Sequence, residues 1–210
     1  MITQSGTTRF ATLAIVLLAF AAGLAGVWFG QRHSAAAAWN SALFYPEPRT
    51  IDHFELTGGD RQPFTPASLE GQWDLLFFGF THCPDICPNT LAVLADVRSR
   101  LVDAGLEAPQ VTLISVDPER DDLEKLDEYV RFFDPTFHGA TGDPAMLEAF
   151  TRNVGIAYFV AEHEPGDRDY TVDHSASILI VDPDGRLVGL FRPPAEPGAI
   201  AEDLARLLAG

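Results

Sequence analysis

The sequence predicts an α/β domain, a central mixed sheet flanked by helices, carried behind one apolar N-terminal helix. Three observations predict it. Residues 10–30, "FATLAIVLLAFAAGLAGVWFG", contain no charged side chain. The apolar runs "WDLLFFGF" and "VTLISVD" have the length and composition of strands buried on both faces. Between and after them, apolar residues recur at helical spacing.

The N-terminal run comes first. At about 1.5 Å per residue it would form a helix roughly 31 Å long, close to the hydrocarbon thickness of a bilayer. Trp28 and Phe29 sit near its end, where aromatic rings suit an interface. A cleaved signal peptide has a shorter apolar core, about 7–15 residues. Residues 10–30 are therefore read as a retained transmembrane anchor after a tail over 1–9, although the Ala35–Ala38 run leaves cleavage open. Arg9 and Arg32 flank the span and do not decide its orientation. Residues 31–49, Ala-rich and then carrying Pro46 and Pro48, read as a linker to a folded domain over 50–210.

Within that domain, "IDHFELTGGDRQPFT" predicts a hairpin around Gly58-Gly59-Asp60. Trp73–Phe80 is a buried strand. Leu91, Val93, Leu94, Val97, Leu101 and Val102 have helical spacing, which predicts a helix from Pro88 to Val102. "VTLISVD" is the next buried strand. Asp121 or Asp122 can cap a helix running to Phe133. "HGATGD" is a loop or short strand. Asp143 as N-cap and Pro144 at the first helical position predict a helix to Asn153. "IAYFVAE" is a strand. "SASILIVDPDGRLVGLF" is a hairpin turning at Asp182-Pro183-Asp184-Gly185, and Pro197–Leu208 is a closing helix. This order fits a thioredoxin-like sheet with an extra N-terminal β-hairpin.

A formal net charge of −16 argues against nucleic acid as a partner, which needs basic surface to neutralise phosphates. It also argues against a domain lying on anionic lipid. The acidity is dispersed, as in "DPERDDLEKLDE" and "EHEPGDRD", and reads first as a solvated surface.

The chemistry concentrates in "FGFTHCPDICPNTL", which holds Cys83 and Cys87, the two cysteines of the chain. They fall in the loop and first helical turn after a buried strand. Exposed N–H groups and the helix dipole favour negative charge there, so a thiol at this place is expected to have a lowered pKa. A structural disulfide closing so short a loop gains little chain entropy. Redox dithiol work and metal binding remain. Positions i and i+4 of a helix share a face, so two thiolates can converge on one small ion. Thiolates suit soft ions such as Cu(I) or Zn(II) and need a further ligand. His33 lies near the membrane, His53 in the first hairpin, His138 and His163 in or near loops, and His82 directly beside Cys83. His174, in "TVDHSASILIVD", precedes a buried strand, and in a thioredoxin-like fold the loop entering that strand packs beside the dithiol.

The motifs "FGFTHCPDICP", "SVDPERD" and "VDHSASILIVDPDG", in this order, resemble the Sco/SenC family of assembly factors for the copper site of cytochrome c oxidase. The similarity spans roughly 50–208. It implies copper bound by Cys83, Cys87 and His174. It implies a membrane-tethered domain on the outer, periplasmic face of a bacterial-type inner membrane. It further implies delivery of copper to oxidase subunit II, or reduction of that site's cysteines, with an upstream copper donor and a thiol reductant as further partners. Asp117 and Asp173 fall on acidic motif positions, where the family reading makes them groups behind the ligands. The plainer alternative is that Asp117 caps a turn and Asp173 shapes a loop.

Two other functions compete. A thiol–disulfide oxidoreductase that carries no copper usually shows C-x-x-C and a cis-proline where His174 stands; this chain has the longer spacing and no proline from Thr171 to Val181. A peroxidase needs an Arg, Trp or Gln near its cysteine, and no Arg follows Phe80 before Arg98.

Overall fold

The computed structural model describes residues 39–164, 166–194 and 196–209, with Ala19, Phe20 and Gly23. Its strands run in chain order as β1 (Ala42–Thr50), β2 (Leu56–Gly58), β3 (Pro63–Phe64), β4 (Asp74–Gly79), β5 (Gln110–Ser115), β6 (His138–Thr141), β7 (Tyr158–Val160), β8 (Val172–His174), β9 (Ile178–Val181) and β10 (Arg186–Phe191). Its helices are α1 (Ile86–Asp103), α2 (Leu123–Phe133), α3 (Pro144–Val154) and α4 (Pro197–Leu208). The predicted span at 10–30 lies outside the described residues apart from the three named. Among the described residues, no helix is long and apolar enough to cross a membrane. Trp39–Gly210 form one compact unit.

The predicted buried strands make the centre of the sheet. Eight strands pair in the order β1-β10-β9-β4-β5-β6-β2-β3. β4, β5 and β6 are parallel, while β9 runs antiparallel against β4. Every residue of β4 is buried. Parallel neighbours must be joined by crossovers, and α1 and α2 supply them. The result is a thioredoxin-like mixed sheet with helices against it.

The helix ends follow the sequence signals. Asp122, not Asp121, caps α2 by accepting from the Lys125 N–H at 2.8 Å. Asp143 accepts from Ala145 and Met146 N–H at the start of α3. That helix stops at Gly155, whose φ of 80° is left-handed.

Two elements differ from expectation. The first is β1, which takes up residues 42–49 of the stretch read as a linker, together with Thr50, and pairs with β10. Its prolines carry no N–H for a ladder, yet β1 lies at the sheet edge and its register shifts between Phe44 and Arg49, where Pro46 and Pro48 sit. The second is β8. Residues 172–174, read as a loop, pair with β7 in a two-stranded ribbon apart from the main sheet. The β2–β3 hairpin forms around the predicted turn and reaches the sheet through β6.

Candidate metal centre

β4 delivers the chain to the site. After Gly79 the backbone turns, with the Cys83 N–H donating to the Phe80 carbonyl at 3.3 Å. Cys83 lies in that turn and Cys87 is the second residue of α1. The i,i+4 spacing brings them together: the Cys87 N–H donates to Cys83 Sγ at 3.4 Å. Both are buried free thiols. Cys87 Sγ lies against Gly79, where an added Cβ would come within 2.6 Å of it. A glycine there makes room for the sulfur.

His174 arrives from the other side. It ends β8, opposite Tyr158 of β7, and its Nε2 lies 3.2 Å from Cys87 Sγ. Ligand atoms of Cys83, Cys87 and His174 all fall within 4.8 Å of one another. Among the described residues, this is the one such group. The ring meets Phe77 and Phe80 edge-on, at centroid distances of 5.9 and 5.8 Å. Its Nδ1 faces the Ser175 carbonyl at 3.2 Å. A carbonyl only accepts, so Nδ1 carries the proton and the Nε2 lone pair points at the sulfur. This second-atom hydrogen bond is how a ligating histidine is oriented.

The electrostatics correct one expectation. The Cys87 thiol is pushed well above its ordinary range, chiefly by burial. The helix N-terminus does not prevail there, because Cys87 is fully buried, with its sulfur against Gly79. Burial also holds the His174 imidazole below its ordinary value, against smaller opposing effects of its hydrogen bonds to backbone. At neutral pH the site is a protonated thiol donating to a neutral imidazole. A soft cation can replace the proton.

The predicted acidic residues separate. Asp117 is buried but addresses no ligand directly; it accepts from Arg120 Nε and from the Tyr170 hydroxyl, both at 2.5 Å. Asp173 is exposed on β8. His82 turns away from the thiols towards Lys125 and Asp121. His163 stacks on Tyr170 and pairs with Glu119 at 3.0 Å.

Sequence reasoning passed over Arg120 and Asp121 as site residues. Arg120 is buried, with its guanidinium 3.7 Å from the Tyr170 ring centroid and 5.4 Å from that of Phe80. Asp121 is fully buried and accepts from the Thr81 N–H at 2.8 Å, the Thr81 hydroxyl at 2.5 Å and the Ser115 hydroxyl at 2.7 Å. Both belong to the "SVDPERD" motif, and that was the available signal.

A thiol pair at the helix following the central strand, faced by an imidazole at the entry to the antiparallel strand, defines a thioredoxin-like protein with a third soft-metal ligand in place of the proline of disulfide exchangers. The chain belongs to the SCO1/SenC family, whose profile matches residues 45–209. The mitochondrial SCO2 homolog of Mus musculus is 33% identical over 208 residues, covering 94% of this chain and 79% of the mouse protein. ScoI of Bradyrhizobium japonicum, solved with copper bound, is 37% identical at a TM-score of 0.65, covering 75% of this chain and 98% of that structure. Apo Sco1 of Thermus thermophilus is 34% identical at a TM-score of 0.72, covering 83% of this chain and all of that structure (100%).

Proposed function

We propose that this chain is a copper metallochaperone of cytochrome c oxidase assembly. It binds copper through Cys83, Cys87 and His174 and serves the two-copper site of oxidase subunit II. The observation that carries this reading is the convergence of two thiols and one imidazole within 4.8 Å. The donor set fits the ion: two thiolates and an imidazole suit Cu(I), and the imidazole tolerates Cu(II). Loading releases the thiol protons, since the thiolate is the ligand. Copper here is cargo. Three protein ligands leave room for an incoming thiolate of the recipient to take the ion over in steps.

The apolar stretch at 10–30 supports a single-pass anchor in a bacterial-type inner membrane, with the domain on the periplasmic face. An upstream donor supplies copper, and a thiol reductant keeps the pair reduced. Two thiols so close also support a second reading: reduction of the oxidase cysteines by thiol–disulfide exchange. There the two sulfurs lose two electrons and two protons to a partner disulfide, which becomes a dithiol.

Titration of the reduced soluble domain with Cu(I) tests the proposal. We expect about one copper per chain, no stable binding in Cys83→Ser, and about tenfold or more weaker binding in His174→Ala. Unchanged affinity in His174→Ala removes the third ligand. A domain that takes no copper yet rapidly reduces an oxidised peptide of subunit II establishes the second reading instead.

A further inference from the structure

The ligands come from two pieces of structure that do not pair with each other. The cysteines follow β4 of the main sheet, while His174 ends a ribbon, β7–β8, that forms its own two-stranded sheet. Something must fix the ribbon relative to the cysteine turn. The short turn between β5 and α2, Val116 to Asp122, touches both.

On the cysteine side, Asp121 receives both the N–H and the hydroxyl of Thr81, two residues before Cys83. It also receives the Ser115 hydroxyl at the end of β5, and Lys125 Nζ lies 3.6 Å away. The start of the cysteine turn is thereby tied to the sheet. On the histidine side, Arg120 donates Nη1 to the carbonyls of Tyr170 at 2.8 Å and Arg168 at 3.3 Å, just upstream of β8. Its guanidinium lies over the Tyr170 ring, and Asp117 receives the Tyr170 hydroxyl. The same guanidinium lies over Phe80, whose ring meets His174 edge-on. Burying a guanidinium is costly unless it is paired and hydrogen-bonded. Arg120 meets that cost through Nε and Nη1, with Nη2 left without a partner among the described residues, and so ties the β5–α2 turn to the segment before β8.

We infer that the β5–α2 turn sets the separation between the thiol pair and the imidazole, with Asp121 positioning the Cys83 turn and Arg120 positioning the His174 ribbon through Tyr170. The inference rests on the copper-binding reading above. Neither residue touches the ion; both are positioning residues. Arg120 acts on copper only by way of His174, and Asp121 only by way of Cys83.

A double-mutant cycle separates these roles, because residues acting through one another are non-additive. Tyr170→Leu removes the ring beneath Arg120 yet leaves the buried Arg120–Asp117 pair intact. Arg120→Gln is the stronger change; if it does not fold, Tyr170→Leu carries the test. Thr81→Val removes one hydroxyl bond to Asp121. Each is made in the otherwise unaltered chain and with His174→Ala. Cu(I) affinity is measured by competition with a chromogenic chelator, and amide exchange of Val172–His174 is followed in the copper-free protein. Tyr170→Leu should weaken Cu(I) binding about tenfold and speed that exchange, with no further weakening once His174 is alanine. Thr81→Val should weaken binding about fivefold in both backgrounds. Unchanged affinity in folded Tyr170→Leu, or equal weakening with and without His174, overturns the histidine arm. Unchanged affinity in Thr81→Val overturns the cysteine arm. Unchanged affinity in His174→Ala alone overturns the ligand set, and the inference falls with it; that result is visible before either positioning variant is read.

Discussion

At the scale of the residue, the site is governed by what burial does to a thiol. Cys87 is enclosed, so its proton is held well above the ordinary thiol range. Copper must displace that proton. For a ligand protonated at the working pH, each unit of pH gained lowers proton competition tenfold. His174 opposes this little, because burial keeps its imidazole neutral below the usual histidine range. Apparent Cu(I) affinity should therefore rise at least about tenfold per pH unit between pH 6 and 8. Competition with a pH-characterised chelator measures it. A flat profile would mean that Cys87 is already a thiolate and that the helix N-terminus outweighs enclosure after all. The residue scale also shows what the sequence could reveal. The spacing of Cys83 and Cys87 was readable because helix geometry alone places i and i+4 on one face. The enclosure was not readable, since the sulfur meets Gly79 of β4 and His174 of β8 only once these separate segments have come together.

At the scale of the element, the readable parts were those with a local cause. β4 and β5 announce themselves by apolar runs, α2 and α3 by their caps. β1 and β8 have no such cause. β1 contains two prolines and becomes a strand because β10 offers an edge and Asp203 of α4 grips its beginning. That buried carboxylate accepts from the N–H groups of Asn40, Ser41 and Ala42 at 2.9, 2.7 and 2.9 Å. β8 is three residues long and exists only through pairing with β7. Long-range partners of this kind leave no periodicity in the chain. The Asp203 clamp yields a prediction. Burial alone would raise its pKa, but the three N–H donors bring it below the ordinary carboxylate value. A lowered folded pKa gives stability that is full above the unfolded pKa, about 3.9, and is lost as pH falls through the folded value. Asp203→Ala should cost about 2–4 kcal/mol at pH 7 by denaturant unfolding, with the gap narrowing below about pH 4. An undiminished gap in strong acid would assign the loss to packing of α4 rather than to the charged clamp.

At the scale of the whole molecule, another buried acid acts in the opposite sense. Asp74, an acidic residue in the otherwise apolar run "WDLLFFGF", starts β4, at the end of the strand remote from the cysteine turn. It is almost fully buried, its Oδ2 has no hydrogen-bond partner among the described residues, and the Gln72 amide reaches Oδ1 only at 3.4 Å. Burial raises its pKa to about 7, the Gln72 bond opposing weakly. The sign follows from proton counts. Between about pH 4 and 7 the folded state holds a proton that the unfolded chain has released, so stability falls as pH rises through that window. Together the two acids place maximal stability on the weakly acidic side: Asp203 weakens the fold below about pH 4, and Asp74 weakens it on approach to pH 7 and above. Copper loading runs the other way, gaining with every unit of pH. The conditions that best hold the fold are therefore not those that best hold the ion. Replacing the acid with a neutral isostere should uncouple them. Asp74→Asn is expected to match the unaltered protein near about pH 3.5, where Asp74 is protonated in both the folded and the unfolded chain, and to exceed it by a few kcal/mol at pH 8. Its Cu(I) affinity at pH 8 should be unchanged, since Asp74 does not touch the site. Denaturant midpoints at the two pH values decide the matter. An equal difference at both would show that the carboxyl ionises alike in the folded and unfolded chain, and the acid-side stability maximum would then have to come from other groups.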